Sequence, residues 1–253
     1  FGICDNHESF ANLLEADLQR TRPARSVDVL NAGVGGYNPY NYLGTLESFA
    51  ELAPDIVVVA IYCGNDYGST AIMQRYFERR GAGNRPKAPA PGRKRDWARS
   101  HSVRAQEGDQ LALFMTNPEE EVVAADTVNA ILMRMARRCD RIGAELVTVL
   151  LPAPLSTQTR FYPEAREWLE GVLEVTDDDI AASDRISDRI VAFHADRGLE
   201  CVDLRPAFRA ATEPYYWFAD LHLSVRGHRA AADAIFPVVD RLAGETEAPA
   251  DVD

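Results

Sequence analysis

The sequence contains no run of about 18 apolar residues, so nothing in its 253 residues reads as a membrane-spanning helix. It is poor in cysteine. Cys4, Cys63, Cys139 and Cys201 stand far apart without a CxxC pair, which excludes thiolate zinc sites and thioredoxin-type redox motifs. Cys63 and Cys201 sit in apolar runs and read as small buried residues. HExxH is absent, which removes the zinc-protease helix, and GxSxG is absent, which removes the nucleophile elbow. No GxGxxG precedes a helix, so a dinucleotide-binding turn is a poor fit. Positive charge is also short: the formal net charge is −12, which argues against general nucleic-acid binding. The exception is Arg75 to Arg104, where ten Lys or Arg face two acids, giving +8 locally and leaving −20 elsewhere. Within it, Arg93-Lys94-Arg95 reads as a solvated loop or as a patch for an anionic substrate.

What remains is an alternation of helical and strand patterns. Phe10, Leu13, Leu14 and Leu18 recur at helical spacing over about 8–20. A short strand is expected at Val27–Leu30, a helix over 40–52, and a strand over 55–62. The last is a nearly continuous β-branched run, as in a parallel strand covered on both faces. Residues 67–117 are rich in Pro, Gly and Arg and read as a long irregular insertion, a lid or loop. A helix over 119–141, a strand over 145–151, a loop, a helix over 178–197, a strand over 199–203 and a helix over 225–242 complete the pattern. The acidic residues 246–253 are expected to be disordered. Strand–helix alternation of this kind implies an α/β fold, a doubly wound parallel sheet flanked by helices within one domain over 1–245. Sites in such sheets lie at the carboxyl ends of strands, here after Leu30, Tyr62 and Asp203.

Three segments near strand ends or the C-terminus carry candidate chemistry. Asn31-Ala32-Gly33-Val34-Gly35-Gly36 can turn sharply and leave a backbone N–H free; alone it equally fits a tight strand-to-helix turn. Gly64-Asn65-Asp66 offers an amide that can donate to a developing oxyanion, although Asn-Asp is also ordinary turn chemistry. Asp220-Leu221-His222 places a carboxylate two positions from an imidazole, among Trp217, Phe218, Leu221 and Leu223. Ser224 reads as the N-cap of the last helix and His228 as an ordinary helix residue. His7, His101 and His194 have no partner pattern and read as structural or exposed.

Together, Asn31–Gly36, Gly64–Asp66 and Asp220–Gly227 resemble three of the four sequence blocks of the SGNH (GDSL-type) hydrolases, in order and spacing, over nearly the whole chain. That resemblance implies a three-layer α/β/α, flavodoxin-like fold and a serine esterase. It implies that Gly36 and Asn65 form the oxyanion hole and that Asp220 and His222 are the acid and base of a triad. Tyr37, Asp66 and Trp217 flank these positions and are expected to contact substrate. No metal or organic cofactor is implied. The partner is a small-molecule or polysaccharide ester, and the compartment stays open.

Two features depart from the family pattern. Asp and His are usually separated by two residues; the Asp-x-His form found here resembles alginate O-acetyltransferase-like members. The Gly-Asp-Ser block with its nucleophile is missing. Phe1-Gly2 and Asp5-Asn6-His7-Glu8-Ser9-Phe10 resemble the text just downstream of that block. The serine, and the first central strand that carries it, are therefore expected upstream of Phe1. Losing about five buried apolar side chains, at roughly 1.5–3 kcal/mol each, would cost about 10 kcal/mol, comparable to a whole domain's stability. Residues 1–253 alone are accordingly expected to fold poorly and be inactive. Two alternatives remain: an O-acetyltransferase acting on polysaccharide with the same residues, and a catalytically dead relative binding glycan through Tyr215, Tyr216, Trp217 and the basic loop.

Overall fold

A computed structural model describes residues 4–81 and 103–245. Three of the apolar, β-branched runs form strands: β1 (Ile56–Tyr62), β2 (Glu145–Leu151) and β3 (Glu200–Asp203). They lie parallel in the order β1-β2-β3, with Ile56 opposite Glu145, Tyr62 opposite Leu151, and Val147 opposite Glu200. Successive side chains alternate across the sheet. Val147 and Val149 enter one core, together with Leu14 and Leu18 of α1 (Phe10–Thr21) and Ile235 and Val239 of α11 (Val225–Glu245). Leu146 and Leu150 enter the other, with Val128 and Leu132 of α5 (Glu120–Ile142) and Ile186 and Ile190 of α9 (Ala182–Ala195). Helices therefore cover both faces, as expected for a three-layer α/β sheet. Thr148, buried in the middle of β2, is satisfied by His194 Nε2 at 3.0 Å, so His194 is a core residue.

The remaining helices are α2 (Pro39–Phe49), α3 (Asp66–Gly81), α4 (Val103–Thr116), α6 (Pro154–Thr157), α7 (Pro163–Leu173), α8 (Asp177–Ile180) and α10 (Arg205–Ala210). Among the described residues, no helix is long and apolar enough to cross a membrane.

Val27–Leu30, expected as a strand, forms none. Val27 N–H donates to Gln19 Oε1 (3.0 Å) and Val29 N–H to Glu15 Oε2 (2.7 Å), both side chains of α1. A strand exists only through a ladder, and no described segment pairs with this one; Leu30 stays 72% exposed. β1 is correspondingly an edge strand, bonded to β2 alone among the described residues.

The expectation of an irregular insertion over 67–117 is corrected as well, since α3 and α4 occupy most of it. Their buried positions are largely polar or small: Asp66, Thr70 and Ala71 in α3, Glu107 and Gln110 in α4. An apolar period is accordingly blurred. The Pro- and Gly-rich residues 82–102, with Arg93–Arg95 and His101, and the acidic residues 246–253 lie outside the described residues. Between β2 and α9, the expected loop instead carries the helices α6, α7 and α8.

Candidate active site

Gly36 closes the exposed turn Val34–Tyr37, in which Tyr37 N–H donates to Val34 O at 3.2 Å. Its φ of +80° is the reason for glycine, because an added Cβ would meet nothing within 4 Å. The Gly36 N–H donates to no described residue. Asn38 then caps α2, accepting from Tyr40 N–H at 3.1 Å.

Directly after β1, the Cys63–Asp66 turn leads into α3. Gly64 lies against the ring of Tyr62: a Cβ there would stand 2.5 Å from the ring carbon Cε1. The Asn65 amide is partly exposed and donates from Nδ2 to Gln106 Oε1 of α4 at 2.6 Å. Asp66, expected to contact substrate, is instead 2% exposed. Its Oδ2 accepts from Tyr62 N–H (2.9 Å) and Tyr42 O–H (2.7 Å). Burial pushes its carboxyl up to about 7, against the opposing pull of these two donors. Tyr42 Oη also lies 3.3 Å from Tyr37 O, so the Tyr42–Asp66 pair ties the glycine turn to the Asn65 turn.

Asp220 and His222 lie on a tight loop preceding α11. Leu221 N–H donates to Trp217 O (2.9 Å) and Trp217 N–H to His222 O (2.8 Å). Leu221 adopts φ +63°, a left-handed conformation that costs about 1–3 kcal/mol in a non-glycine residue. Its side chain is 1% exposed in the core, which offsets that cost while leaving its two neighbours partly exposed. Asp220 Oδ1 accepts from His222 N–H at 3.1 Å, and Oδ2 lies 3.1 Å from His222 Nδ1. The second contact suits charge pairing, although the ring N–H is out of line for a full hydrogen bond. Apo catalytic hydrogen bonds are often long or poorly aligned. Nε2 has no hydrogen bond to any described residue, so no described hydroxyl or thiol is paired with this imidazole.

Tyr216 holds this loop over the sheet: its hydroxyl donates to Pro152 O, just past β2, and Tyr162 O–H donates back to Tyr216 O at 2.7 Å. Tyr216 is 2% exposed, so of the aromatic residues proposed to bind glycan it cannot face one. Trp217 is 37% exposed. Ser224 caps α11, accepting from Gly227 N–H at 3.2 Å. His228 accepts from Phe10 N–H through Nδ1 (3.3 Å), joining α1 to α11, and burial lowers it to about 4.

The Cys63–Asp66 turn follows β1 directly, whereas the Asn31–Gly36 and Asp220–His222 segments are tied to strand ends through Tyr42 and Tyr216. The remaining position, after Asp203, is occupied by an ion cluster. Arg205, largely buried, pairs with Asp203 (2.8 Å), Asp188 (2.8 Å) and Asp184 (3.5 Å). Burial pushes the Cys63 thiol up to about 12, so it stays protonated and is a poor nucleophile at neutral pH. Among the described residues, no three His, Cys, Asp or Glu side chains cluster as a metal ion would require.

Reading the sequence missed the polar face of α4. Gln110 accepts from Gly68 N–H (2.7 Å) and donates to Cys63 O (2.6 Å) and Ser183 Oγ (3.0 Å). Glu107 is 4% exposed, and its Oε2 has no partner. Burial pushes it up to about 8, partly opposed by Leu155 N–H. A signal for this helix lies in the helical spacing of Glu107, Gln110, Leu111 and Phe114, all buried.

The chain can now be set beside known proteins. The model of the GDSL-like Lipase/Acylhydrolase family matches residues 1–230. A comparison with curated proteins gives no match. Among solved structures, the chain is similar to an acetyl xylan esterase, AlAXEase, with a TM-score of 0.53 at 15% identity over 92% of each chain. That likeness establishes the shared α/β fold, and the family model, spanning most of the sequence, establishes that the chain belongs to the GDSL-like lipase/acylhydrolases.

Proposed function

We propose that this protein is a serine esterase in which His222 is the general base, Asp220 orients it, and Gly36 N–H with the Asn65 amide forms the oxyanion hole. The observation that carries the proposal is the Asp220–His222 pair, with Nδ1 turned to the carboxylate and Nε2 without a hydrogen bond to any described residue. An imidazole held this way accepts a proton at Nε2, while the carboxylate stabilises the resulting cation. Supporting it are a Gly36 N–H that donates to no described residue and an amide donor at Asn65, in turns joined through Tyr42 and Asp66.

The nucleophile in this reading is a serine outside the described residues. Among the described residues no hydroxyl is hydrogen-bonded to His222 Nε2, which favours that assignment. The serine Oγ attacks the ester carbonyl as His222 Nε2 takes its proton. The tetrahedral oxyanion is held by Gly36 and Asn65, each donor worth about 3 kcal/mol of barrier. His222 then protonates the departing alcohol, and water, activated by the same imidazole, clears the acyl-enzyme. Acetyl esters of a polysaccharide are the proposed substrate class, by analogy with the acetyl xylan esterase of similar fold.

Hydrolysis of p-nitrophenyl acetate and of acetylated xylan by the full-length protein tests this. His222→Ala should abolish turnover of both, and a fluorophosphonate should label one serine. Turnover surviving in His222→Ala would remove the triad reading. Acetyl transfer to added oligosaccharide in preference to water would move the protein to the acetyltransferases.

A further inference from the structure

We propose that Gln106 is a positioning residue for the oxyanion hole, fixing which end of the Asn65 amide faces the reacting carbonyl; this rests on the role given to Asn65 above. A primary amide is nearly symmetric in shape, and a half-turn about its last side-chain bond exchanges oxygen for nitrogen. The two orientations have opposite consequences at an oxyanion hole. Nδ2 offers an N–H to the developing charge, whereas Oδ1 offers a lone pair that repels it.

Asn65 makes one side-chain hydrogen bond among the described residues, from Nδ2 to Gln106 Oε1 at 2.6 Å. That bond occupies one of the two Nδ2 hydrogens and leaves the second without a described partner. Turning the Asn65 amide over alone would bring Oδ1 against Gln106 Oε1, acceptor against acceptor, so a flip of Asn65 requires Gln106 to flip with it.

Gln106 can hold Asn65 in place only if its own helix is held, and α4 is. One turn further along, Gln110 is 3% exposed and bonded to Cys63 O, Gly68 N–H and Ser183 Oγ. Residues 106 and 110 share a helix face. α4 therefore grips the Cys63–Gly68 turn at three points, at its start, at Asn65 and in the first turn of α3. Gln110 sets the backbone of that turn, and Gln106 sets the amide that acts.

A double-mutant cycle in the full-length protein tests the inference, with kcat and KM on p-nitrophenyl acetate as readouts. Gln106→Leu keeps the bulk and removes the acceptor; it should lower kcat roughly tenfold with KM nearly unchanged, because the loss falls on the transition state. Asn65→Ala should lower kcat a hundredfold or more. The double variant should then match Asn65→Ala, because Gln106 acts only through that amide. Should Gln106→Leu fail to fold, Gln106→Met supplies the same test. A tenfold loss that persists in the Asn65→Ala background would make Gln106 merely structural and overturn the inference. An unchanged kcat in Gln106→Leu, with Asn65→Ala impaired, would overturn it while leaving the esterase reading intact. An unimpaired Asn65→Ala would bring down the oxyanion assignment, and this inference with it.

Discussion

Glu107→Gln should stabilise the protein, and increasingly so as pH rises. The Glu107 carboxyl is buried in α4, with Leu155 N–H as a donor and no partner for Oε2. It titrates near 8 rather than the ordinary 4.5 because burial disfavours its charge. A raised carboxyl binds its proton more tightly folded than unfolded. Its contribution is therefore fully present below about pH 4.5, declines as pH rises, and is lost above about pH 8. At 1.36 kcal/mol per pH unit, the full span amounts to about 5 kcal/mol, an upper figure that local relaxation would reduce. Glutamine has nearly the same shape and never ionises. The variant and wild type should therefore differ little at pH 4.5, and the variant should lead by several kcal/mol at pH 9. Urea unfolding followed by tryptophan fluorescence at pH 4.5, 7 and 9 measures this gap directly. Asp66 titrates in both proteins and cancels in the difference. A gap that stays constant across the range would refute the assignment of a buried, proton-binding Glu107.

Further consequences follow from the geometry around the turns. Asp66→Asn should keep both bonds from Tyr62 N–H and Tyr42, since both end on Oδ2, and should gain stability above about pH 7 in the same assay. Asp66→Ala should lose about 1–3 kcal/mol through the stranded Tyr62 N–H. Leu221→Ala should cost about 2–5 kcal/mol by chemical denaturation, because a fully buried side chain is emptied at a strained backbone position. Gly227→Ala would place a methyl 2.1 Å from Tyr215 O, so α11 must shift; a lowered Tm together with lost esterase activity is expected. Asp220→Asn should reduce kcat far more than KM, read from steady-state kinetics at neutral pH.

The parts of this molecule that were legible in the sequence are those specified by apolar side chains. β1 and β2 are β-branched runs buried between two helical layers, so composition alone marks them. Helices α1, α5 and α11 show their stripe because one face meets a core and the other water. Val27–Leu30 has strand composition without a strand, because pairing is a property of the neighbour, and its N–H groups turn to Gln19 and Glu15 instead. Helix α4 fails from the opposite side. It buries Glu107 and Gln110, residues that a pattern reader assigns to water.

The site divides along the same line. The proposal of Gly36, Asn65, Asp220 and His222 rests on residue type and local spacing, and Asp220 meets His222 within one tight loop. What holds them is not local. Tyr42 reaches Asp66 across 24 positions, Gln106 reaches Asn65 across 41, and Tyr216 reaches Pro152 across 64. Each is a polar contact whose partner becomes apparent only once the sheet has brought distant segments to the same end. Each also costs free energy when left unmade in a buried setting. A substitution at Tyr42 or Tyr216 should therefore disturb the site nearly as much as one at Asn65, although neither residue belongs to a motif. Tyr42→Phe is the cleanest case, since it removes one hydroxyl, leaves the ring, and frees the Gly36 turn from the Asn65 turn. Its kcat should fall, while the Asp66 carboxyl, having lost a donor that lowers it, should be pushed further up. A variant with the wild-type rate would mean that the two turns are aligned by the sheet alone.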